Sequence, residues 1–183
     1  MIHERDNFYI VTGCSGGGKS AIIEALRAKG FQCVDEAGRE IVKEQVRIGG
    51  DGTPWQDPTK FLELLLSRYK YLFEQVAERT LPVFSDRGIP DLVANSRPLD
   101  GAVPEHYRAA ARAYRYARKV FVTPPWREIF RTDDERRHSY EDALAMYREL
   151  PDAYRQFGYE LVEVPKAPVA ERVEFILQKV RTL

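Results

Sequence analysis

The sequence predicts an α/β fold in three layers, a mostly parallel sheet covered by helices on both faces. Two observations carry that expectation. Short apolar runs alternate with longer stretches of helical periodicity, and the first apolar run breaks into the glycine-rich segment GCSGGGKS just before a helical pattern begins. Strands that follow one another through helices run parallel, and parallel strands buried on both faces read as unbroken apolar runs.

The elements follow in order. NFYIVT is a buried strand that stops at Gly13. KSAIIEALRAKG has helical spacing through Ile22, Ile23 and Leu26, with Gly30 as its stop. FQCV is a second strand and REIVKEQVRI a helix, and GGDGTPWQDP is a loop. TKFLELLLSRYKYLFEQVAERT is the strongest helical pattern, because Phe61, Leu65, Tyr69, Leu72, Phe73 and Val76 make one apolar stripe. LPVFS is a strand that leads into Asp86, PEHYRAAARAYRYA a helix, and KVFVT a strand closed by Pro124 and Pro125. SYEDALAMYREL and DAYRQF are helical, broken or restarted at Pro151 and stopped at Gly158. YELVEV is the last strand, and PVAERVEFILQKV the last helix, with Pro168 suited to its first turn.

The chain of 183 residues fits one domain, 1–183, with a substantial core. There is no internal repeat, low-complexity tract or linker, and the polar stretch at about 125–138 reads as a mobile lid rather than a boundary. Lys plus Arg and Asp plus Glu number 28 each, so net charge gives no reason to expect nucleic acid or an acidic membrane as partner. Cys14 and Cys33 are too few for a disulfide framework and lack metal-ligand spacing. The polar N-terminus has no signal-peptide core, and no apolar run approaches the ~18 residues of a membrane span. A soluble, cytoplasmic protein is expected, and nothing in the composition opposes a homo-oligomer.

Gly13-Cys14-Ser15-Gly16-Gly17-Gly18-Lys19-Ser20 matches G-x-x-x-x-G-K-[ST], with a strand before it and a helix, opening toward Ala21, after it. Glycines let successive backbone N–H groups turn inward around phosphate oxygens, and the helix adds its positive dipole end. Lys19 places a charge among the outer phosphates, and the Ser20 hydroxyl suits Mg²⁺. The segment is therefore expected to bind a nucleoside triphosphate, ATP or GTP. Gly16 to Ala21 also fits the dinucleotide pattern G-x-G-x-x-A, with Asp35 about 20 residues on. In that fold the first glycine follows the strand directly, whereas Gly16 sits three residues beyond Gly13. Cys14 is either a thiol acidified by the helix start or a small spacer.

A phosphate loop needs a second metal-side carboxylate, and Asp86 at the end of LPVFS supplies one, followed by Arg87. In parallel sheets ligands lie beyond the carboxyl ends of the strands. Asp35, Glu36 and Arg39, at the end of the second strand, are expected in the same crevice. A carboxylate there can accept a proton from an attacking hydroxyl, and Arg39 can hold an anionic or polar acceptor. Asp35 is equally a helix cap. The letters D-E-A-G fit the D-x-x-G of GTPases, but no N-K-x-D guanine motif accompanies them. WREIFRTDDERRH carries Arg127, Arg131, Arg136 and Arg137, cations a closing lid can bring to a transferring phosphoryl group, with Arg131 the first candidate, then Arg127 and Arg136. Trp55 either stacks on a planar acceptor ring or plugs a core edge.

At these residues the chain resembles the NadR-like AAA-type predicted ATPases, relatives of the nicotinamide riboside kinase domain within the P-loop kinase group. The likeness runs over nearly the whole chain. It is carried by Gly13 to Ser20, by Glu36, Ala37 and Arg39, and by Phe84, Asp86, Arg87, Gly88 and Asp91. It continues through Arg131 to Glu141 and Gly158 to Pro165. The resemblance implies a five-stranded parallel sheet of the nucleoside-kinase type, with the base beside Pro165 to Pro168. It also implies a Mg²⁺-dependent kinase acting on a small acceptor. Where the family often has GPxGsGKTtL, this chain has Cys14 to Ala21, a change that preserves phosphate binding. The expected activity is transfer of the terminal phosphoryl group to a nucleoside-like or other small molecule. The alternative is a nucleotide-binding switch with slow hydrolysis.

Overall fold

A short strand the sequence pattern does not announce, β1 (His3–Arg5), precedes the first apolar run, β2 (Phe8–Gly13). The computed structural model describes residues 2–76, 81–100, 102–131 and 139–181. After β2 come α1 (Lys19–Ala28), β3 (Gln32–Val34), α2 (Ala37–Ile48), α3 (Pro58–Gln75), β4 (Val83–Asp86) and α4 (Ile89–Asp100). They are followed by α5 (Glu105–Ala113), β5 (Tyr114–Tyr116), β6 (Lys119–Thr123), α6 (Tyr140–Arg155), β7 (Glu160–Glu163) and α7 (Val169–Arg181). Five strands form a parallel sheet in the order β3-β4-β2-β6-β7, so the α/β fold with a five-stranded parallel sheet is as expected.

The apolar runs are continuous because their side chains feed two cores in turn. Along β2, Phe8 and Ile10 enter one cluster and Tyr9 and Val11 the other. Along β6, Val120 and Val122 alternate with Phe121 in the same way, as Val83 does with Phe84 in β4. One face is covered by α1 and α7 through Ile22, Ile23, Leu26, Val173, Ile176 and Leu177. The other is covered by α2 to α6. Each fully buried Leu, Ile or Phe contributes about 1.5–3 kcal/mol, so these two sets of contacts outweigh local preference where they disagree.

They disagree at three places. The helical pattern expected to run to Ala117 ends at Ala113, and Tyr114–Tyr116 becomes β5, paired in parallel with β1. Packing decides this, since the Tyr116 ring lies 5.0 Å from Phe8 and 5.1 Å from Phe73. Pro151 does not break α6, which runs unbroken from Tyr140 to Arg155. A proline inside a helix costs about 3 kcal/mol, here offset by the burial of Leu150, Ala153 and Tyr154 around it. Residues 89–100 fold as α4, on a stripe of Ile89, Leu92, Val93 and Ser96 that is interrupted in sequence by Pro90 and a polar end.

Other boundaries follow local chemistry. Asp57 caps α3 by accepting from the Lys60 N–H at 2.9 Å, with Pro58 at the first helical position. Ser139 and Asp142 form a reciprocal capping box on α6. Among the described residues no helix is long and apolar enough to cross a membrane.

Candidate active site

β2 and β4 finish together at the carboxyl edge of the sheet, where Val11 pairs with Asp86, and β6 finishes beside them, where Gly13 pairs with Thr123. The loop after β2 is locked against β6. Gly13 has φ 126°, and a Cβ there would run into the Thr123 backbone, so only glycine fits. The Cys14 N–H donates to Thr123 O at 3.0 Å, and the Gly17 N–H to Cys14 O at 3.0 Å. Gly18, at φ 81°, turns the chain into α1 and provides no side-chain cap. The first N–H groups of α1 are thus left for a ligand, and the dipole there favours an anion. Lys19 is 5% exposed, and its Nζ donates to Cys14 O at 3.0 Å, inside the loop it serves.

Asp86 is 1% exposed. Its Oδ2 accepts from Ser20 Oγ at 3.3 Å, while Oδ1 is buried with no hydrogen-bond partner. Burial pushes the carboxyl up to about 6, against the pull of Lys19 and with a push from Glu36. An orphaned carboxylate oxygen beside a hydroxyl is the donor pair a hard divalent cation takes. The residues therefore fit Mg²⁺. No group of three or more His, Cys, Asp or Glu residues forms a cage among the described residues. That suits a cation whose other ligands are water and phosphate.

Across the cavity Glu36 stands at the start of α2, its Oε2 3.5 Å from Arg39 Nε and its Oε1 3.6 Å from Arg87 Nε. Arg87 has φ 72°, rare for a non-glycine residue, and is held there by Asp91 at 3.2 Å. Asp91 is 1% exposed and also accepts from Thr12 Oγ1 at 2.6 Å, Gly88 N–H at 3.0 Å and Tyr154 Oη at 2.5 Å. One buried carboxylate thus fastens β2, the turn after β4, and α6.

A cavity of about 540 Å³ runs from the glycine loop to Glu36 and Arg39, and neither Asp86 nor Arg87 is among its lining residues. Gly16, Gly18, Lys19, Ser20 and Ala21 line one wall and Glu36 and Arg39 another, so the expected phosphate and acceptor residues are brought together. Other expectations are displaced. Asp35 does not line the cavity. Its side chain is 70% exposed and pairs with Arg27 at 2.6 Å, one residue beyond the end of β3 at Val34. Trp55 lies 38% exposed in the loop before α3, away from the cavity wall. Cys14 is 1% exposed, with its Sγ 3.6 Å from Ala143 O, in the spacer role rather than that of a reactive thiol.

The lid arginines also lie elsewhere. Arg127 pairs with Glu141 at 3.3 Å and sits over the Tyr140 ring, and Arg131 donates to the carbonyls of Glu128 and Phe130. Arg136, Arg137 and His138 fall outside the described residues, as does half of the expected lid, residues 132–138. From the lid root, Trp126 and Ile129 line the cavity instead. Beside the last strand the wall is Ala167, Pro168 and Val169, two residues past Pro165. The residue the sequence reading misses is Arg172, buried in the first turn of α7 and lining the same cavity. Its only signal is a charged residue on the apolar stripe of that helix, between Val169 and Ile176.

Residues 8–172 match the family model described as an AAA domain, and the chain belongs to that family. No curated protein matches it in sequence. Among solved structures it is similar to deoxyadenosine kinase from M. mycoides, solved with dCMP and dCDP, at 14% identity and a TM-score of 0.66, over 96% of this chain and 98% of that one. It is similar to thymidylate kinase from Ehrlichia chaffeensis at 13% identity and a TM-score of 0.62, over 94% and 97%. Shikimate kinase from Acinetobacter baumannii, with shikimate bound, aligns at 16% identity and a TM-score of 0.54, over 98% and 95%. At these identities the likeness establishes the P-loop kinase fold.

Proposed function

We propose that this protein is an ATP- and Mg²⁺-dependent phosphotransferase, a single kinase domain closed by a lid at about 125–138, acting in the cytoplasm on a nucleoside-like or other small acceptor. One observation carries the reading. A phosphate loop and an ordered carboxylate–arginine pair face each other across one cavity, Lys19 and Ser20 on one side and Glu36 and Arg39 on the other. A hydrolytic switch needs the first side only. The second is what a kinase adds to orient an acceptor.

In the transfer, an acceptor hydroxyl oxygen bonds to the terminal phosphorus as the bond from that phosphorus to the bridging oxygen breaks, and ADP leaves with that electron pair. The hydroxyl hydrogen bonds to Glu36, which takes the proton late in the step. Arg39 and Arg87 hold Glu36 in place from two sides. Lys19 leaves Cys14 O for the phosphate oxygens, and the loop amides from Gly18 to Ala21, at the start of α1, bind the charge that shifts to the bridging oxygen. Ser20 and Asp86 would hold Mg²⁺, which would supply charge neutralisation to the phosphates. Closure of the lid brings Arg131 and Arg127 from their present partners toward the phosphates and excludes water. The turn from Pro165 to Val169, which lines the cavity through Ala167, Pro168 and Val169, receives the base.

The finer likeness to NadR-type enzymes rests on Glu36, Asp86, Arg87, Gly88 and Asp91 and favours a nucleoside-like acceptor. The test is a screen of nucleosides, nucleotides, vitamins and sugars for acceptor-dependent ADP or GDP formation, with Lys19→Ala as control. Loss of Lys19 removes a charge-assisted contact, so the rate falls by ~10²-fold or more. Tight nucleotide binding with slow hydrolysis that no acceptor accelerates would replace the kinase by a nucleotide switch.

A further inference from the structure

Arg172 is a buried cation for which the phosphotransfer scheme has no use. It is 1% exposed, in the first turn of α7, on the wall of the cavity. Its Nη2 donates to Gly17 O at 2.8 Å, its guanidinium carbon lies 5.6 Å from the centre of the Trp126 ring, and its Nε is buried with no hydrogen-bond partner. A Cβ on Gly18 would come within 2.7 Å of Nη1, so the guanidinium rests directly on the phosphate loop. No carboxylate pairs with it among the described residues. Burial alone acts on its proton affinity, and lowers it.

This placement is electrostatically unfavourable by itself. A buried charge without a counter-ion is among the costliest groups a fold can hold. Here it also stands where two helices begin, α1 after Gly18 and α7 at Val169, and both present their positive ends. Lys19 lines the same cavity. Latching the Gly17 carbonyl does not explain the charge, because one carbonyl uses one of five guanidinium donors and a neutral amide would serve. An anion in the cavity would offset all of these unfavourable terms at once. The latch also has a geometric consequence. In a planar trans peptide, turning the Gly17 carbonyl toward Arg172 turns the Gly18 N–H to the opposite side.

We propose that Arg172 is a second cation of the polyphosphate site. It fixes the loop through Gly17 O and pairs its remaining N–H groups with a phosphate oxygen on the side of the cavity walled by Gly16, Gly18 and Lys19. The inference rests on reading the cavity as a nucleotide site, and it adds a contact from the far end of the chain to the loop motif.

Calorimetric titration of the full chain with Mg-ATP, inorganic tripolyphosphate and adenosine tests it, using Arg172→Met and Arg172→Lys. Arg172→Met weakens ATP and tripolyphosphate by about 10- to 100-fold and leaves adenosine within about twofold, since a charge-assisted phosphate contact is lost and a base contact is not. Arg172→Lys keeps the charge but not the fork, and recovers part of the phosphate affinity. An equal loss for ATP and adenosine, or no loss at all, overturns the assignment and leaves Arg172 as packing, with the nucleotide reading intact. If Arg172→Met does not fold by circular dichroism, the ratio of ATP to adenosine affinity in Arg172→Lys decides in the same way. If the unmodified protein takes up neither Mg-ATP nor Mg-GTP, the nucleotide reading itself fails and this inference with it.

Discussion

Asp86 and Asp91 are both carboxylates with 1% exposure, five residues apart in sequence, and their surroundings could hardly differ more. Asp91 accepts from Thr12, Arg87, Gly88 and Tyr154, so both of its oxygens are satisfied. Asp86 has one contact, from Ser20 at 3.3 Å, and one oxygen with none. Burying a carboxylate is costly unless donors surround it. The fold meets that requirement in full at Asp91, which holds elements together, and leaves it unmet at Asp86. On the proposed reading a cation meets it there, and the difference would separate a structural acid from a functional one without any appeal to motif.

The largest effect that separates the two comes from Asp91→Ala. It leaves the largely enclosed Arg87 with Glu36 as its remaining ion-pair partner, at 3.6 Å, and strips acceptors from Thr12 and Tyr154. A loss of about 3–5 kcal/mol is expected for breaking one side of a buried ion pair inside a satisfied network. Urea unfolding followed by circular dichroism measures it. A loss under about 1 kcal/mol would place Asp91 in the range of ordinary surface changes and break the contrast.

Asp86→Asn sharpens it from the other side. Removing a poorly compensated buried charge while keeping its shape leaves stability unchanged or raised by about 1 kcal/mol, while Mg²⁺-dependent turnover falls on the order of 10²-fold. The pH dependence has two opposite signs. The carboxyl moves from 3.8 in the unfolded chain to about 6 in the folded protein, so between those values the folded state keeps a proton that the unfolded state has released. Stability from this group is present below 3.8 and is lost as pH rises through about 6. Cation binding needs the ionised carboxylate, so Mg²⁺-dependent nucleotide binding weakens as pH falls through the same value. Melting temperatures of the native protein relative to Asp86→Asn, and Mg-nucleotide titrations between pH 5 and pH 8, follow the two trends. Parallel melting curves for both proteins would show that Asp86 is not buried as described.

The parts of the site that could be read from sequence are those that local order fixes. A strand, four residues, a glycine, Lys19 and Ser20 define the loop because the phosphate cradle is made from consecutive backbone amides. Asp86 was legible because a parallel strand delivers its last residue to the ligand edge. Arg172 was not, since its meaning lies in a contact with Gly17 across nearly the whole chain. Within its helix it reads as one charged residue interrupting an apolar stripe. Tyr114–Tyr116 carries helical spacing with the residues before it, and only pairing with β1 and the rings of Phe8 and Phe73 makes it a strand. Arg127 and Arg131 were the residues expected from their segment, yet Trp126 and Ile129 are the residues of that segment on the cavity wall. A spacing argument places a segment near a site more readily than it orients each side chain.

Asp35 and Glu36 show the limit at its finest, because neighbouring acids at a strand end fall on opposite sides, and sequence weighs them alike. Glu36 reaches the cavity, whereas Asp35 is 70% exposed and meets Arg27 at 2.6 Å. That hydrogen bond is the main reason Arg27 holds its proton more tightly than an isolated arginine. In water such an exposed pair contributes little, because both charges are well solvated when apart and salt screens them. Asp35→Ala is therefore expected to change stability by less than about 0.5 kcal/mol and to leave turnover unaltered, the smallest effect of the set. Glu36→Gln, by contrast, slows turnover with any acceptor that relies on proton removal. Steady-state rates for the two variants side by side decide between the neighbours. If Asp35→Ala were the slower enzyme, the carboxylate serving the acceptor would be Asp35, and the strand end would have to turn the other way when substrates bind.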